Sequence, residues 1–196
     1  MYNPQDHYFK KAKKEWYKAR SIFKLEEIDQ KFKLIDKKTS TVLDIGCAPG
    51  SWLQYTATKI KNPHAKILGF DIKAMEIAIP WVDTYQQDIT DQDAIKKIFE
   101  EHKIKKFDFI QSDMAPNTIG VQDVDAIRSI ALLEETLRIY KEFLAPEGKF
   151  AIKIFMGPGF EEFLRDLKKH FWWKKIKVYK PKACRDQSKE TYIVKL

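Results

Sequence analysis

Cysteine is nearly absent. The 196 residues hold two, Cys47 and Cys184, with no CxxC pair. Two thiols exclude a disulfide framework and, by themselves, a four-ligand zinc site; such usage fits a reducing compartment. His7, His64, His102 and His170 are scattered, so no metal is expected. Glycine and proline are scarce, at seven and eight residues, which excludes a fibrous or low-complexity chain. No apolar run approaches the ~20 residues of a membrane span. The opening MYNPQDHYFKKAKKEW lacks the apolar stretch of a secretory signal. What is present is a globular composition, 44% hydrophobic and 13% aromatic, which excludes a disordered chain. The expectation is one domain over 1–196 and a monomer, in the cytoplasm or an organelle, with residues 1–38 as a basic extension and helix.

Charge is unevenly placed. The formal net charge is +8. Residues 1–38 carry 11 Lys/Arg against 6 Asp/Glu, and residues 165–196 carry 11 against 3. Residues 39–164 carry 14 against 19, so basic ends enclose a mildly acidic centre. Aromatics are interleaved with the lysines, among them Trp16, Tyr17, Phe171, Trp172 and Trp173. A basic surface with stacking groups favours nucleic acid over membrane; a solvated lysine-rich surface is the alternative.

Periodicity gives the class. A stripe of Ile22, Phe23, Leu25, Ile28 and Phe32 predicts a helix over 19–32. Strands are expected at 42–45, 66–72, 84–88, 107–113 and 149–155. Helices are expected at 51–60, 91–102, 122–144 (ended by Pro146 and Gly148) and 159–171. Segments 174–180 and 190–196 read as two strands with no helix between them, so they should pair antiparallel. The prediction is an α/β fold with a mostly parallel sheet, one reversed strand and helices on both faces.

In such sheets ligands lie beyond the carboxyl ends of the strands. After the first strand stands Asp44-Ile-Gly46-Cys-Ala48-Pro49-Gly50-Ser-Trp52. Its Gly-x-x-x-Gly pattern is not the Gly-x-Gly-x-x-Gly of a dinucleotide pyrophosphate site. Asp71 ends the second strand, where a carboxylate takes ribose hydroxyls. Asp88 follows the third, placed to accept from an adenine amino group. Loop and acids together describe a nucleoside-bearing cofactor without a diphosphate, and S-adenosyl-L-methionine fits best. Trp52 is equally readable as core. Asp113 ends the fourth strand in SDMAPN. Lys153 sits inside the fifth, on the face of Ala151 and Phe155, where a lysine is costly unless paired or functional. Glu190 opens the last strand. Lys24 lies on the first predicted helix. Each of these four has an ordinary reading as surface or turn.

Taken together, Lys24 in RSIFKL, the loop LDIGCAPGSW, SDMAPN, Lys153 in AIKIF with GPGF after it, and SKETYIV resemble the FtsJ/RrmJ family of ribose 2′-O-methyltransferases. The resemblance spans about residues 16–195 and is strongest to the bacterial-type enzymes acting on uridine in large-subunit ribosomal RNA. It implies a Rossmann-like, seven-stranded methyltransferase sheet and a Lys-Asp-Lys-Glu tetrad at Lys24, Asp113, Lys153 and Glu190. It implies cofactor contacts from the loop Gly46, Ala48, Pro49 and Gly50 with Trp52, and from Asp71, Asp88 and Asp113. RNA is the implied partner, with no DNA, membrane or metal. Lys153 is implied as the general base or as the group that orients the hydroxyl. Rival readings are a transfer RNA anticodon-loop methyltransferase and a non-catalytic ribosome assembly factor. Two positions depart from the family pattern: Cys184 stands where serine is usual, and Pro158 where glutamate is usual. Both lie outside the tetrad.

Overall fold

A computed structural model describes residues 6–171 and 175–196. The chain runs α1 His7–Lys14, α2 Ile22–Phe32, β1 Thr41–Ile45, α3 Ser51–Lys59, β2 Lys66–Asp71, β3 Val82–Gln86, α4 Gln92–Glu101, β4 Phe107–Ser112, α5 Gln122–Phe143, β5 Leu144–Phe155, α6 Phe160–His170, β6 Ile176–Tyr179 and β7 Glu190–Lys195. The seven strands form one sheet in the order β3-β2-β1-β4-β5-β7-β6. Strands β1 to β5 are parallel, and β7 runs antiparallel to both β5 and β6. The expected α/β architecture with its reversed strand is therefore present.

Alternation along the strands sorts two cores. Leu43, Leu68, Ile110, Phe150, Ile152 and Ile193 face one side, where they pack with residues of α4, α5 and α6. Val42, Ile67, Phe109, Ala151, Tyr192 and Val194 face the other, against α1, α2 and α3. Because side chains alternate with period two, Lys153 shares the second face with Ala151, and Glu190 shares it with Tyr192. Strand pairing sets Lys153 opposite Tyr192, and Phe155 opposite Glu190.

Several boundaries differ from the sequence reading. Helix α1 was not expected, because its eight residues bury only Ala12 and so show little apolar periodicity. It is held at its start by the Asp6 side chain, which accepts from the Phe9 N–H. Helix α2 begins at Ile22 rather than 19. Strand β3 lies at 82–86 rather than 84–88; it borders the sheet and is only partly buried, so alternation marks it poorly. Helix α4 begins at Gln92 rather than 91, because Asp91 is its N-cap, the side chain accepting from the Ala94 N–H. Strand β5 starts at Leu144, so Pro146 and Gly148 fall within it at a register shift against β4. Trp172, Trp173 and Lys174 lie outside the described residues. Among the described residues no helix is long and apolar enough to cross a membrane, and no cluster of metal-ligand side chains occurs.

Candidate active site

Strand order reverses between β1 and β4, and the site opens there, at the carboxyl ends of the strands. The loop after β1 turns on two left-handed glycines. Gly46 has φ +77° and Gly50 has φ +106°. A Cβ on Gly46 would lie 2.4 Å from Met114 Cγ. The loop is tied down by Gly46 and Cys47, whose N–H groups both donate to the Phe70 carbonyl at the end of β2. Gly50 caps α3, whose first N–H groups have no partner within the helix.

Beside this loop lies a cavity of about 360 Å³. Of the residues expected to hold a cofactor, Gly46, Ala48, Asp71, Asp88 and Asp113 line it; Pro49, Gly50 and Trp52 do not. One Asp71 oxygen accepts from the Ala48 N–H at 2.9 Å and the other from the Lys73 N–H at 2.8 Å. These bonds fix the carboxylate while leaving each oxygen a further lone pair. Asp88 is oriented through one oxygen, which accepts from the Thr90 N–H and hydroxyl. The walls also include Ile72, Thr90, Met114 and Leu132, which the sequence reading did not single out. Ile72 and Met114 each directly follow an acid already identified, and that adjacency is the signal available for them.

Trp52 is buried. Its indole N–H donates to the Ser21 carbonyl at 2.9 Å, and its ring packs on Tyr192 with centroids 5.7 Å apart. It packs between α2, α3 and β7.

Next to the cavity, the four tetrad residues converge from α2, β5, β7 and the end of β4. Lys153 Nζ lies 3.1 Å from Asp113 Oδ1 and also donates to the Asp113 main-chain carbonyl. Lys24 Nζ lies 2.5 Å from Glu190 Oε1. Between the two pairs stands Tyr192, which the sequence reading passed over. Its hydroxyl is 2.7 Å from Asp113 Oδ1 and 2.5 Å from Glu190 Oε1. With a single proton it donates to one carboxylate at a time. Alternation from Glu190 along β7 was the cue that would have found it.

The electrostatics follow from burial and pairing. Burial pushes the Asp113 carboxyl up, but the Lys153 and Lys24 ammonium groups and the Tyr192 hydroxyl outweigh it and hold the acid below the usual carboxylate range. Burial disfavours the charged Lys24, yet the Asp113 and Glu190 carboxylates win and raise it. Burial and the two nearby acids push the Tyr192 phenol well above its ordinary value, so it stays a neutral donor. Cys184 also touches this cluster, 3.7 Å from Glu190 Oε1. Burial first, then the Glu190 charge, push its thiol up to about 12, which keeps it from forming a reactive thiolate. The two lysines, the two acids and the neutral Tyr192 and Cys184 donors thus meet within one partly enclosed cluster.

Beneath the loop, Asp44 is fully enclosed. Its Oδ2 accepts from Gln111 Nε2 at 2.9 Å, and Gln111 Oε1 accepts from the Thr56 hydroxyl at 2.8 Å. Burial pushes the Asp44 carboxyl up to about 8, so it is mostly protonated at neutral pH. It braces β1 to β4 and does not line the cavity.

Comparison with known proteins gives the family. The FtsJ-like methyltransferase family model matches residues 17–196. A protein of Syntrophobacter fumaroxidans named ribosomal RNA large subunit methyltransferase E is 42% identical over 194 residues, covering 98% of this chain and 95% of the relative. One of the same name from Bdellovibrio bacteriovorus is 42% identical over 196 residues, covering all of this chain and 97% of the relative. The crystal structure of a ribosomal RNA methyltransferase from Plasmodium falciparum superposes with a TM-score of 0.79 at 31% identity, over 91% of this chain and 97% of that one. The chain belongs to the FtsJ-like methyltransferase family.

Proposed function

We propose that this protein transfers a methyl group from S-adenosyl-L-methionine to a ribose 2′-OH of large-subunit ribosomal RNA. The observation that carries this reading is the position of Asp113, which lines the cavity and also stands 3.1 Å from Lys153. A methyl donor in the cavity and a hydroxyl held by Lys153 would meet at that residue. The relatives' names supply the RNA class.

The residues present fit the cofactor. The glycines keep the loop tight beside the cavity: a Cβ on Gly46 would press on Met114, which lines it, and one on Gly50 would press on Met75. Asp71 would offer lone pairs to the ribose hydroxyls, and the second oxygen of Asp88, which lines the cavity, would accept from an adenine amino group. When bound, the cofactor supplies an already activated methyl group on a sulfonium. The protein's task is alignment and management of one proton. Alignment alone removes several kcal/mol from such a barrier, on the order of 7 or more in favourable cases.

Lys153 has two available roles. As an ammonium it orients the ribose hydroxyl and stabilises the oxygen as negative charge develops. As an amine it takes the proton. Asp113 holds its nitrogen in place in either case. Lys24 and Glu190 brace the far side of the hydroxyl's position, and Tyr192 couples the two pairs.

The test pairs binding with turnover. Calorimetry should show S-adenosylmethionine binding that is weakened by Asp71→Ala. Labelled cofactor should then mark RNA of under-methylated large subunits and not bulk transfer RNA. Label in transfer RNA alone would move the substrate to the anticodon-loop class. Cofactor binding without label in any RNA would remove the enzymatic reading.

A further inference from the structure

On the α3 side of the sheet, away from the tetrad, lies a groove of about 800 Å³. Trp16 and Trp81 both line it. Both rings project into solvent, 88% and 83% exposed. Both residues also have left-handed backbones, with φ +62° and +64°.

Each position is one that glycine ordinarily fills. Trp16 follows the C-cap of α1. The Tyr17 N–H returns to the Ala12 carbonyl at 2.9 Å, and the Trp16 N–H to Lys13 at 3.4 Å, which is the bonding of a Schellman motif with tryptophan in the αL place. Trp81 is the third residue of a turn closed by the Val82 N–H on the Ile79 carbonyl at 3.1 Å. Proline at its second place and positive φ at its third make this a type II turn. Neither ring is buried, so packing does not account for either tryptophan. Two large exposed aromatics are held at strained positions along one groove, which points to a ligand with flat faces.

Charge selects the ligand class. The segment 10–18, leading into Trp16, holds five lysines against Glu15 alone, and segment 59–66 at the end of α3 holds three with no acid. Lys13, Lys14, Lys18, Lys59 and Lys61 are exposed. The lysines stand on the Trp16 and α3 sides, while the Trp81 segment carries Glu76 and Asp83; an aromatic platform beside lysines is the equipment of single-stranded nucleic acid binding, in which bases stack and the backbone is neutralised. The groove also reaches the cofactor loop: its wall includes Ile77 and Ile79, which lie 3.4 and 3.5 Å from where a Gly50 Cβ would be.

We propose that this groove binds an unpaired stretch of the RNA substrate, with bases stacked on Trp16 and Trp81. The proposal rests on the RNA-methylating reading above and adds the place where the strand is gripped outside the catalytic cluster.

The test uses Trp16→Gly and Trp81→Gly in the full chain. Because glycine suits both backbones, thermal melting should be unchanged or raised. An unstructured oligouridylate of about 12 nucleotides, within the range of single-strand site sizes, should quench the wild-type tryptophan fluorescence. Each glycine variant should bind it about tenfold more weakly, as expected for loss of one base–aromatic stack. Trp16→Tyr should restore most of the affinity, since a stacking face returns at the same backbone. Unchanged affinity in both glycine variants would overturn the proposal. So would a wild-type dimer that the variants convert to monomer, which would make the groove's occupant a second copy. Methyl transfer to large subunits, followed in parallel, separates the two levels. No transfer by the wild type would sink the RNA-methylating reading itself, whereas transfer and binding untouched by either variant would sink only the groove.

Discussion

Lys24 and Glu190 stand 2.5 Å apart although 166 positions separate them in the chain. The pair ties α2 to the start of β7 and closes one side of the cluster proposed to be catalytic. Both side chains are largely buried, so removing one strands the other. Breaking such a pair costs about 3–5 kcal/mol when burial is complete. Lys24→Met should therefore destabilise the fold measurably and abolish transfer. Adding Glu190→Gln to it should recover part of the stability and none of the activity. A double-mutant cycle by chemical denaturation, run beside a transfer assay, reads both; strict additivity would contradict the pairing.

Tyr192 carries a separable function. Tyr192→Phe keeps the ring against Trp52 and removes the hydroxyl between Asp113 and Glu190. The expected result is a folded protein with cofactor affinity near wild type and kcat reduced about tenfold, the value of one hydrogen bond worth roughly 1.4 kcal/mol to charged partners. A variant with unchanged kcat would show that the two pairs act independently.

The buried Asp44 predicts a pH dependence of stability. Its folded pKa, about 8, lies above the ordinary carboxylate value of 3.8. The folded state therefore holds a proton that the unfolded chain releases, and stability falls as pH rises from about 4 through about 8. Asp44→Asn reproduces the protonated group in shape and removes the titration. Relative to the variant, the wild type should lose stability between pH 6 and pH 9 in denaturant titrations. Parallel profiles would contradict the assignment. Asp113 has the opposite sign: its depressed carboxyl contributes stability above its unfolded pKa, and that contribution disappears as pH falls through the folded value.

At the cofactor loop, Gly46→Ala combines a left-handed backbone with a Cβ pressed on Met114. The backbone penalty alone is about 1–3 kcal/mol. Cofactor affinity should fall with stability, because Met114 also lines the cavity. Calorimetry with S-adenosylmethionine checks this; a stable variant with wild-type affinity would show that the loop yields more readily than its contacts suggest.

Much of this architecture was legible in the sequence because alternation and punctuation agree in the buried strands. Val42, Leu43 and Ile45 lead into a glycine turn, and that pattern is enough to place β1 and the loop after it. Strand β3 was misplaced by two residues because a half-exposed border strand carries no clean alternation. Helix α1 was missed because it rests on one buried alanine and a cap. Lys24, Asp113, Lys153 and Glu190 are individually ordinary residues; their order and motif context, not their local chemistry, singled them out. Tyr192 had no such flag, since an aromatic in a buried strand reads as core, and half of its role is core. Trp16 and Trp81 are least legible of all. Their significance lies in backbone angles and exposure, which composition cannot report.

The most direct test of the central claim follows the methyl group to its atom. Large subunits labelled with methyl-tritiated S-adenosylmethionine by the wild type and by Lys153→Arg and Lys153→Ala would be stripped of protein and their RNA hydrolysed in alkali. A methylated 2′-oxygen cannot assist cleavage, so ribose transfer leaves the label in alkali-resistant dinucleotides. The account predicts label there for the wild type, none for Lys153→Ala, and retained cofactor binding in all three proteins. Arginine keeps a charge and cannot act as a base, so partial activity in Lys153→Arg assigns the orienting role and none assigns the base. Label appearing in mononucleotides, or undiminished by Lys153→Ala, would contradict the account.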